Sequence, residues 1–340
     1  MATATATPGV AYGQDELFQG FFRLLYRDLP QAERTFSASQ VKSRHLAWDP
    51  RQEFSDGFPG MKLRMQAWER NVLAMGRSSI ASVLDDVERA RIGTYVMASC
   101  TGYAGPSPEM LLAKEFGLRA DLRRTFVGHM GCYAAFNALK VAMDAVATRP
   151  GEYALVTCAE VCSVHLRPEV SKEQMVVNSL FADACVTLLL AGDSGPGPRI
   201  LRTHTETHYA TSDAMSWHIQ DDAFRMSLSP YVPLYLSEAI EPFIRTLLRP
   251  EGLDLRDIAH WGIHPGGPKI VEFVGQRLGL SDEQLAASLA ILAEYGNCSS
   301  STILLILDRI LRRSRPQPGE YGVFMAFGPG LTMESALVQF

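Results

Sequence analysis

The run RRTFVGHMGCYAAFNALKVAMDAVATRPGEYALVTCAEV (123–161) constrains the fold more than any other part of the chain. An apolar strand ends in a glycine-bounded turn, a strongly periodic helix opens just after it, and a second buried strand follows the helix. The same alternation appears on either side. IGTYVMASCTGY (92–103) reads as a strand, LLAKEFGL (111–118) as a short helix, and SLFADACVTLLLAGD (179–193) as a helical turn leading into a strand. Upstream, residues 13–48 and 61–90 carry helical patterns. A Gly/Pro break, GDSGPGPR (192–199), interrupts the series. Beyond it the pattern predicts strand 200–209, helix 232–248, strand 259–264, helices 267–279, 283–291 and 299–313, and a strand pair at 320–327 and 332–339. Strands alternate with helices in both halves, so the expected architecture is α/β layers around a largely buried sheet. The expected halves are 1–195 and 196–340. Both end in a buried strand after a helix, consistent with a structural duplication.

Composition narrows the function classes. The 340 residues are 47% hydrophobic and 20% charged, an ordinary globular balance. A net charge of -5, with charges spread along the chain, leaves no basic footprint for nucleic acid or for an anionic membrane. No apolar run is long enough to cross a bilayer. The start, MATATATPGVAYGQ, lacks the basic and apolar regions of a secretory signal and reads as a frayed tail. Six cysteines (100, 132, 158, 162, 185 and 298) lie in apolar or small-residue contexts without CxxC pairs. They point to free thiols in a reducing, cytoplasmic setting.

Four short stretches carry residues fit for chemistry. Cys132 follows a strand and opens a helix, where unpaired amide N–H groups favour thiolate over thiol; as an isolated cysteine it reads equally as a small core filler. His264 enters HPGGP (264–268) at a strand end, and the Pro-Gly-Gly-Pro turn leaves room beside the ring. A helix N-terminus there favours neutral imidazole. Asn297, in EYGNCSSS (294–301), is a helix N-cap whose amide can also face a pocket. Gly328, Pro329 and Gly330 turn the chain between the last two strands, either as a plain hairpin loop or as one wall of the same site.

In this order and spacing, GC at a strand–helix turn, HPGGP, EYGNxSS and FGPGLTxE closely resemble the type III polyketide synthases, the chalcone-synthase-like members of the thiolase-fold condensing enzymes. The resemblance is specific from about residue 92 onward. Ketoacyl synthase III enzymes are similar in fold and triad but carry His-Gln-Ala-Asn in place of His-Pro-Gly-Gly. The resemblance implies a thiolase-like α/β fold, two duplicated halves packed as a five-layered αβαβα core, and a homodimer. It assigns Cys132 as acyl-bearing nucleophile, with a pKa lowered by the helix and by His264. It assigns His264 and Asn297 as donors to an enolate oxygen. Backbone amides of Cys132 and of the 328–330 loop would hold the tetrahedral oxyanion. No metal or redox cofactor is implied; acyl groups arrive as thioesters on coenzyme A or on carrier-protein phosphopantetheine.

Pocket positions follow from the same resemblance. Phe181 and Met226 fall on the two guarding positions, the second usually aromatic. Glu160, Cys162, His165 and Ser299 fall on cavity positions, with His165 where threonine is common. Gly105 stands where plant members place a methionine that reaches into the partner's cavity, and Arg34 is the one basic residue kept from a cluster that grips coenzyme A phosphate. An open cavity, an adaptable gate and a weak coenzyme A grip resemble the stand-alone ketosynthases that join two carrier-bound chains in myxobacterial α-pyrone antibiotics such as corallopyronin and myxopyronin. That implies an acyl carrier protein as partner and lactonisation to an α-pyrone. The alternatives are a conventional bacterial type III synthase extending an acyl-CoA starter with malonyl-CoA, or an acyltransferase or thioesterase using the same cysteine.

HTETH (204–208) places His204, Glu206 and His208 on one face of a strand, read as a solvated face rather than a zinc site. His129, just before the Cys132 turn, is read as structural.

Overall fold

The computed structural model describes residues 2–55, 57–192, 197–229 and 231–340. The expected junction at 195/196 lies outside the described residues. The strands in chain order are β1 (Ala2–Ala6), β2 (Ala11–Gly13), β3 (Ser43–His45), β4 (Ile92–Ser99), β5 (Arg123–Gly128), β6 (Tyr153–Val161) and β7 (Asp183–Ala191). They continue as β8 (Arg199–Thr207), β9 (Met215–Ile219), β10 (Phe224–Leu228), β11 (Ile258–Ile263), β12 (Tyr321–Gly328) and β13 (Thr332–Gln339).

Two sheets form the frame, ordered β1-β7-β6-β4-β5 and β11-β12-β13-β8. Each contains parallel strands, β6-β4-β5 in the first and β11-β12 in the second, followed by an antiparallel return, β7 or β13. Successive side chains on a strand point to opposite faces, and here both faces are buried. In β4, Val96 and Ala98 enter the central core while Tyr95 and Met97 face the outside helices. In β12, Phe324 and Ala326 enter the same central core while Val323, Met325 and Phe327 face outward into a third cluster.

Helices fill the spaces between and outside the sheets. The Ala134–Thr148 and Ser300–Arg309 helices lie between them, packed on both. The Met61–Val83 and Pro108–Glu115 helices cover the first sheet's far face, and the Val232–Leu248 and Pro268–Leu278 helices cover the second's. The five-layered αβαβα order expected of a thiolase-like fold is therefore present. Local chemistry sets the helix ends. Pro268 occupies the first helical position and Gly279 takes the left-handed conformation after the last, while Ser281 and Gln284 form a capping box on the Asp282–Tyr295 helix.

Two expectations fail near the N-terminus. The start is not a frayed tail: β1 pairs antiparallel with β7 from Ala2↔Leu189 to Ala6↔Cys185 and completes the sheet edge. Its Ala/Thr alternation is a strand pattern in miniature, with Ala4 and Ala6 packed into the outer core. Residues 13–48 are not continuously helical; helical turns at 14–25 and the Ala32–Ala38 helix are bracketed by the short β2–β3 pair. Among the described residues no helix is long and apolar enough to cross a membrane.

Candidate active site

The Cys132 turn is built by backbone conformations that few residues tolerate. After β5 ends, His129 and Gly131 both take positive φ (58° and 75°), and Cys132 follows in a tight turn, Gly131–Tyr133, that leads into the Ala134–Thr148 helix. A Cβ on Gly131 would come within 2.7 Å of the Pro329 ring, and one on Gly328 within 2.6 Å of the Tyr133 ring. The 328–330 loop is thus pressed against the cysteine turn, and the Tyr133 hydroxyl donates to Pro329 O at 3.3 Å.

The second half brings a matching turn to the same place. Gly296 (φ 75°) ends the Asp282–Tyr295 helix, Asn297 follows, and Ser299 (φ 49°) precedes the Ser300–Arg309 helix. Asn297 N–H donates to Leu180 O at 2.8 Å and Asn297 O accepts from Ala182 N–H at 2.9 Å, bridging this turn to the Phe181 segment. Its side-chain Oδ1 accepts from Ser299 N–H at 2.9 Å, which leaves the NH2 end to donate toward the Cys132 sulfur. Ser299 Oγ lies 3.8 Å from Cys132 Sγ and 3.0 Å from Cys100 Sγ.

Electrostatics differ from expectation. Cys132 does not have a lowered pKa: burial pushes the thiol up to about 12, the Ser299 hydroxyl pulls it back, and the Glu160 charge raises it again. His264 follows β11, its N–H donating to Met325 O at 2.9 Å. Its pKa falls to about 3, and the cause is burial rather than the helix end. Among the described residues neither ring nitrogen of His264 has a hydrogen-bond partner, the thiol included. Both groups therefore rest neutral. The structure joins Cys132 to Asn297 and Ser299, whereas His264 is held close-packed with both nitrogens unspent.

Beside the thiol lies a narrow apolar cavity of about 30 Å³, room for about two waters. Cys132, Cys162, His165, Phe181, Met226, Ser299 and Pro329 line it. Glu160 does not. Its carboxylate is turned back into the protein, accepting from Cys100 N–H, Thr101 Oγ1 at 2.7 Å and Ser300 Oγ, and burial raises its pKa. Nor do Gly105, Arg34, Gly328 and Gly330 line it: Gly105 and Arg34 are exposed, Gly328 is packed against the Tyr133 ring, and Gly330 turns the loop at φ 94°. His165 contributes a ring face only. Its Nε2 donates to Thr101 O at 2.6 Å and its Nδ1 accepts from Phe224 N–H at 3.1 Å, and burial holds it neutral with a pKa of about 3.

On the opposite wall, sequence reasoning found Met226 but missed Trp217 and Phe224. The β9–β10 hairpin carries all three over the cavity, with Met226 directly across from Trp217. Trp217 Nε1 donates to Cys100 O at 2.8 Å, and Phe224 stacks on His165 at 4.3 Å. The available signal was the alternation of large apolar residues in MSWHI and FRMSL. In HTETH, His204 packs on Phe243 at 4.9 Å and His208 Nδ1 meets Thr211 Oγ1 at 3.1 Å. Among the described residues no group of three or more His, Cys, Asp or Glu side chains is arranged to hold a metal. His129 is exposed, its ring 6.1 Å from that of Phe224.

A thiol at a helix start, a carboxamide aimed at it and an apolar slot beside it define a condensing-enzyme site, and comparison with known proteins gives the family. Residues 1–194 match the N-terminal domain of chalcone and stilbene synthases, and residues 203–340 match the C-terminal domain. The chain belongs to the chalcone and stilbene synthase family, and is a condensing enzyme of the type III polyketide synthase kind. It is 31% identical to the α-pyrone synthesis polyketide synthase-like Pks18 of Mycobacterium tuberculosis, covering 98% of this chain and 89% of that protein. It is 37% identical to the 3,5-dihydroxyphenylacetyl-CoA synthase of Streptomyces toyocaensis, covering 100% and 89%. The crystal structure of 1,3,6,8-tetrahydroxynaphthalene synthase from Streptomyces coelicolor superposes with a TM-score of 0.93 at 26% identity, covering 99% of this chain and 98% of that one.

Proposed function

We propose that this enzyme loads an acyl group from an acyl-CoA starter onto Cys132, extends it with malonyl-CoA, and releases an α-pyrone. The observation that carries the reading is the Cys132 thiol with the Ser299 hydroxyl and the Asn297 amide both directed at its sulfur, beside an apolar slot. The relatives support this reading more than the joining of two carrier-borne chains, since one is named for α-pyrone synthesis and another for a coenzyme A thioester product.

In the proposed mechanism the thiol attacks the starter thioester. Two neutral buried groups cannot charge separately, so the Cys132 proton passes to His264 as the sulfur–carbon bond forms, and coenzyme A leaves as the thiol carrying that proton. Malonyl-CoA then loses CO2, and its enolate oxygen is held by His264 and by the Asn297 NH2 group. Removing one donor of this kind typically costs about 100- to 1,000-fold. The enolate carbon attacks the acyl carbonyl, the new carbon–carbon bond forms, and the Cys132–acyl bond breaks, the departing sulfur taking up a proton from solvent to return to the neutral thiol. After further extension, an enol oxygen attacks the chain's thioester carbonyl, the carbon–sulfur bond breaks, and the thiol leaves with the enol proton as the lactone closes. Trp217, Phe224 and Met226 limit the growing chain.

A homodimer is proposed as well. β5 is an edge strand, and the exposed apolar side chains Tyr103, Met110 and Met130 flank its end of the sheet, an arrangement that suits edge-to-edge pairing of two copies. Light scattering should return twice the chain mass.

The test of function is product analysis with matched donors. The enzyme is incubated with malonyl-CoA and one acyl group presented either as acyl-CoA or on an acyl carrier protein. Pyrone and CO2 from acyl-CoA support the proposal. Pyrone from the carrier-bound donor alone would return the chain-joining reading, and hydrolysis without a carbon–carbon bond would make the protein a thioesterase.

A further inference from the structure

Arg44 on β3 is completely buried, and it makes no ion pair among the described residues. A buried cation is costly unless its hydrogen bonds hold something in place. The nearby carboxylate, Asp183, is already engaged, accepting from Ala47 N–H at 2.6 Å, Ser163 N–H at 2.8 Å and Ser163 Oγ at 2.5 Å. Arg44 instead spends a single nitrogen, Nη1, on two main-chain carbonyls: Asn178 O at 2.8 Å and Phe181 O at 2.9 Å. These lie at the end of the Lys172–Leu180 helix, where unpaired carbonyls favour a cation. Nε and Nη2 have no partner among the described residues. Burial lowers the pKa to about 10, so the guanidinium stays charged at neutral pH.

The location gives those two bonds a consequence. Phe181 lines the cavity, and its neighbours Leu180 and Ala182 hold the Asn297 backbone from both sides. The Arg44 stem supports the other face of the same turn: a Cβ on Gly296 would meet Arg44 Cγ at 3.2 Å and Leu180 O at 2.7 Å. One side chain therefore braces both the cavity wall and the turn that aims the Asn297 amide.

We propose that Arg44 is a positioning residue for condensation, fixing the Phe181 segment and through it the direction of the Asn297 carboxamide. The inference rests on the condensing-enzyme reading of the site. A group that merely fills space would be replaceable by methionine without kinetic cost, since exchanging a buried ion for an apolar side chain is often neutral in stability. A group that aims Asn297 would not.

The experiment compares wild type, Arg44→Lys and Arg44→Met in two separate steps: single-turnover acylation of Cys132 by acyl-CoA, and CO2 release from malonyl-CoA on the acylated enzyme. Small displacements of a catalytic group cost up to about 100-fold, so Arg44→Met is expected to lose roughly ten- to 100-fold in the second step. Acylation should change by less than about threefold, the split that marks an effect confined to one step. Arg44→Lys, which keeps one charged nitrogen for both carbonyls, is expected to recover part of the loss. Equal CO2 release in all folded variants, or acylation falling in parallel with it, would overturn the inference. If Arg44→Met does not fold, the lysine variant against wild type carries the same comparison, with CO2 release expected to fall several-fold. Failure of the wild type to form a carbon–carbon bond would instead remove the underlying reading of the site.

Discussion

The two helices at the centre of the molecule start in the same way and present different chemistry. Each is preceded by a glycine at φ 75°, Gly131 or Gly296, and by a non-glycine residue at positive φ, His129 or Ser299. In the first half that geometry delivers a sulfur. In the second it delivers a hydroxyl and a carboxamide aimed at that sulfur. Duplication of the strand–helix frame placed two strained turns face to face, and the side chains on them divided the work. Burial drives Cys158 and Cys298 well above the ordinary thiol value, while Cys185, with Ser79 and Thr187 as donors, is raised to about 12 as Cys132 is. Among the described residues, Cys132 alone receives side-chain donors from both Ser299 and Asn297.

Exchanging the chemistry of one turn at a time tests this division. Cys132→Ala should abolish product and acyl adduct, a loss of about four orders of magnitude or more for a nucleophile; residual condensation above that level breaks the comparison. Asn297→Ala, in the opposite turn, should leave acylation intact and slow CO2 release about 100- to 1,000-fold, and equal losses in both steps would assign it to the wrong turn. His264→Ala should slow iodoacetamide alkylation of Cys132 at pH 7 by more than about tenfold, because burial then leaves the thiol no acceptor for its proton. An unchanged rate would show that the thiol ionises without the imidazole.

A smaller effect concerns stability. His165 and His264 both titrate near pH 3 in the folded chain, against 6.5 for a free histidine. The unfolded chain therefore binds more protons in that interval, and the stability they confer is complete above pH 6.5 and lost as pH falls toward 3. Asp183, raised to about 6, acts oppositely: its contribution is present below 3.8 and lost as pH rises through 6. His165→Phe should flatten the acid side of the Tm–pH curve, and an unaltered slope would mean His165 is not held neutral. Smallest of all, Trp217→Ala should lengthen the product by an extension unit while Cys132 still acylates, read by mass spectrometry.

Much of this was legible in the sequence because it rests on local pattern. Strand 259–264, helix 232–248 and the closing strand pair follow periodicity, and Cys132 and Asn297 stand at turns that glycine announces. Trp217 and Phe224 were not legible: β9 and β10 are short, belong to neither large sheet, and matter only because they fold over residues distant in sequence. β1 was missed since Ala and Thr carry too little apolar signal to mark a sheet edge. Glu160 was misplaced because chain position gave the strand but not the direction its carboxylate took, back toward Ser300 and Thr101. The Cys132 pKa was misjudged because a helix start predicts stabilisation of the thiolate, whereas complete burial outweighs it.

In the proposed reaction Cys132 carries the acyl chain and releases it only into a new carbon–carbon bond. Intact-protein mass with peptide mapping measures this directly, first with acyl-CoA alone and then after adding malonyl-CoA. One acyl adduct is expected, on Cys132, persisting until malonyl-CoA discharges it as an extended product with release of CO2. An adduct on another residue, or one that discharges to free acid without extension, would contradict it.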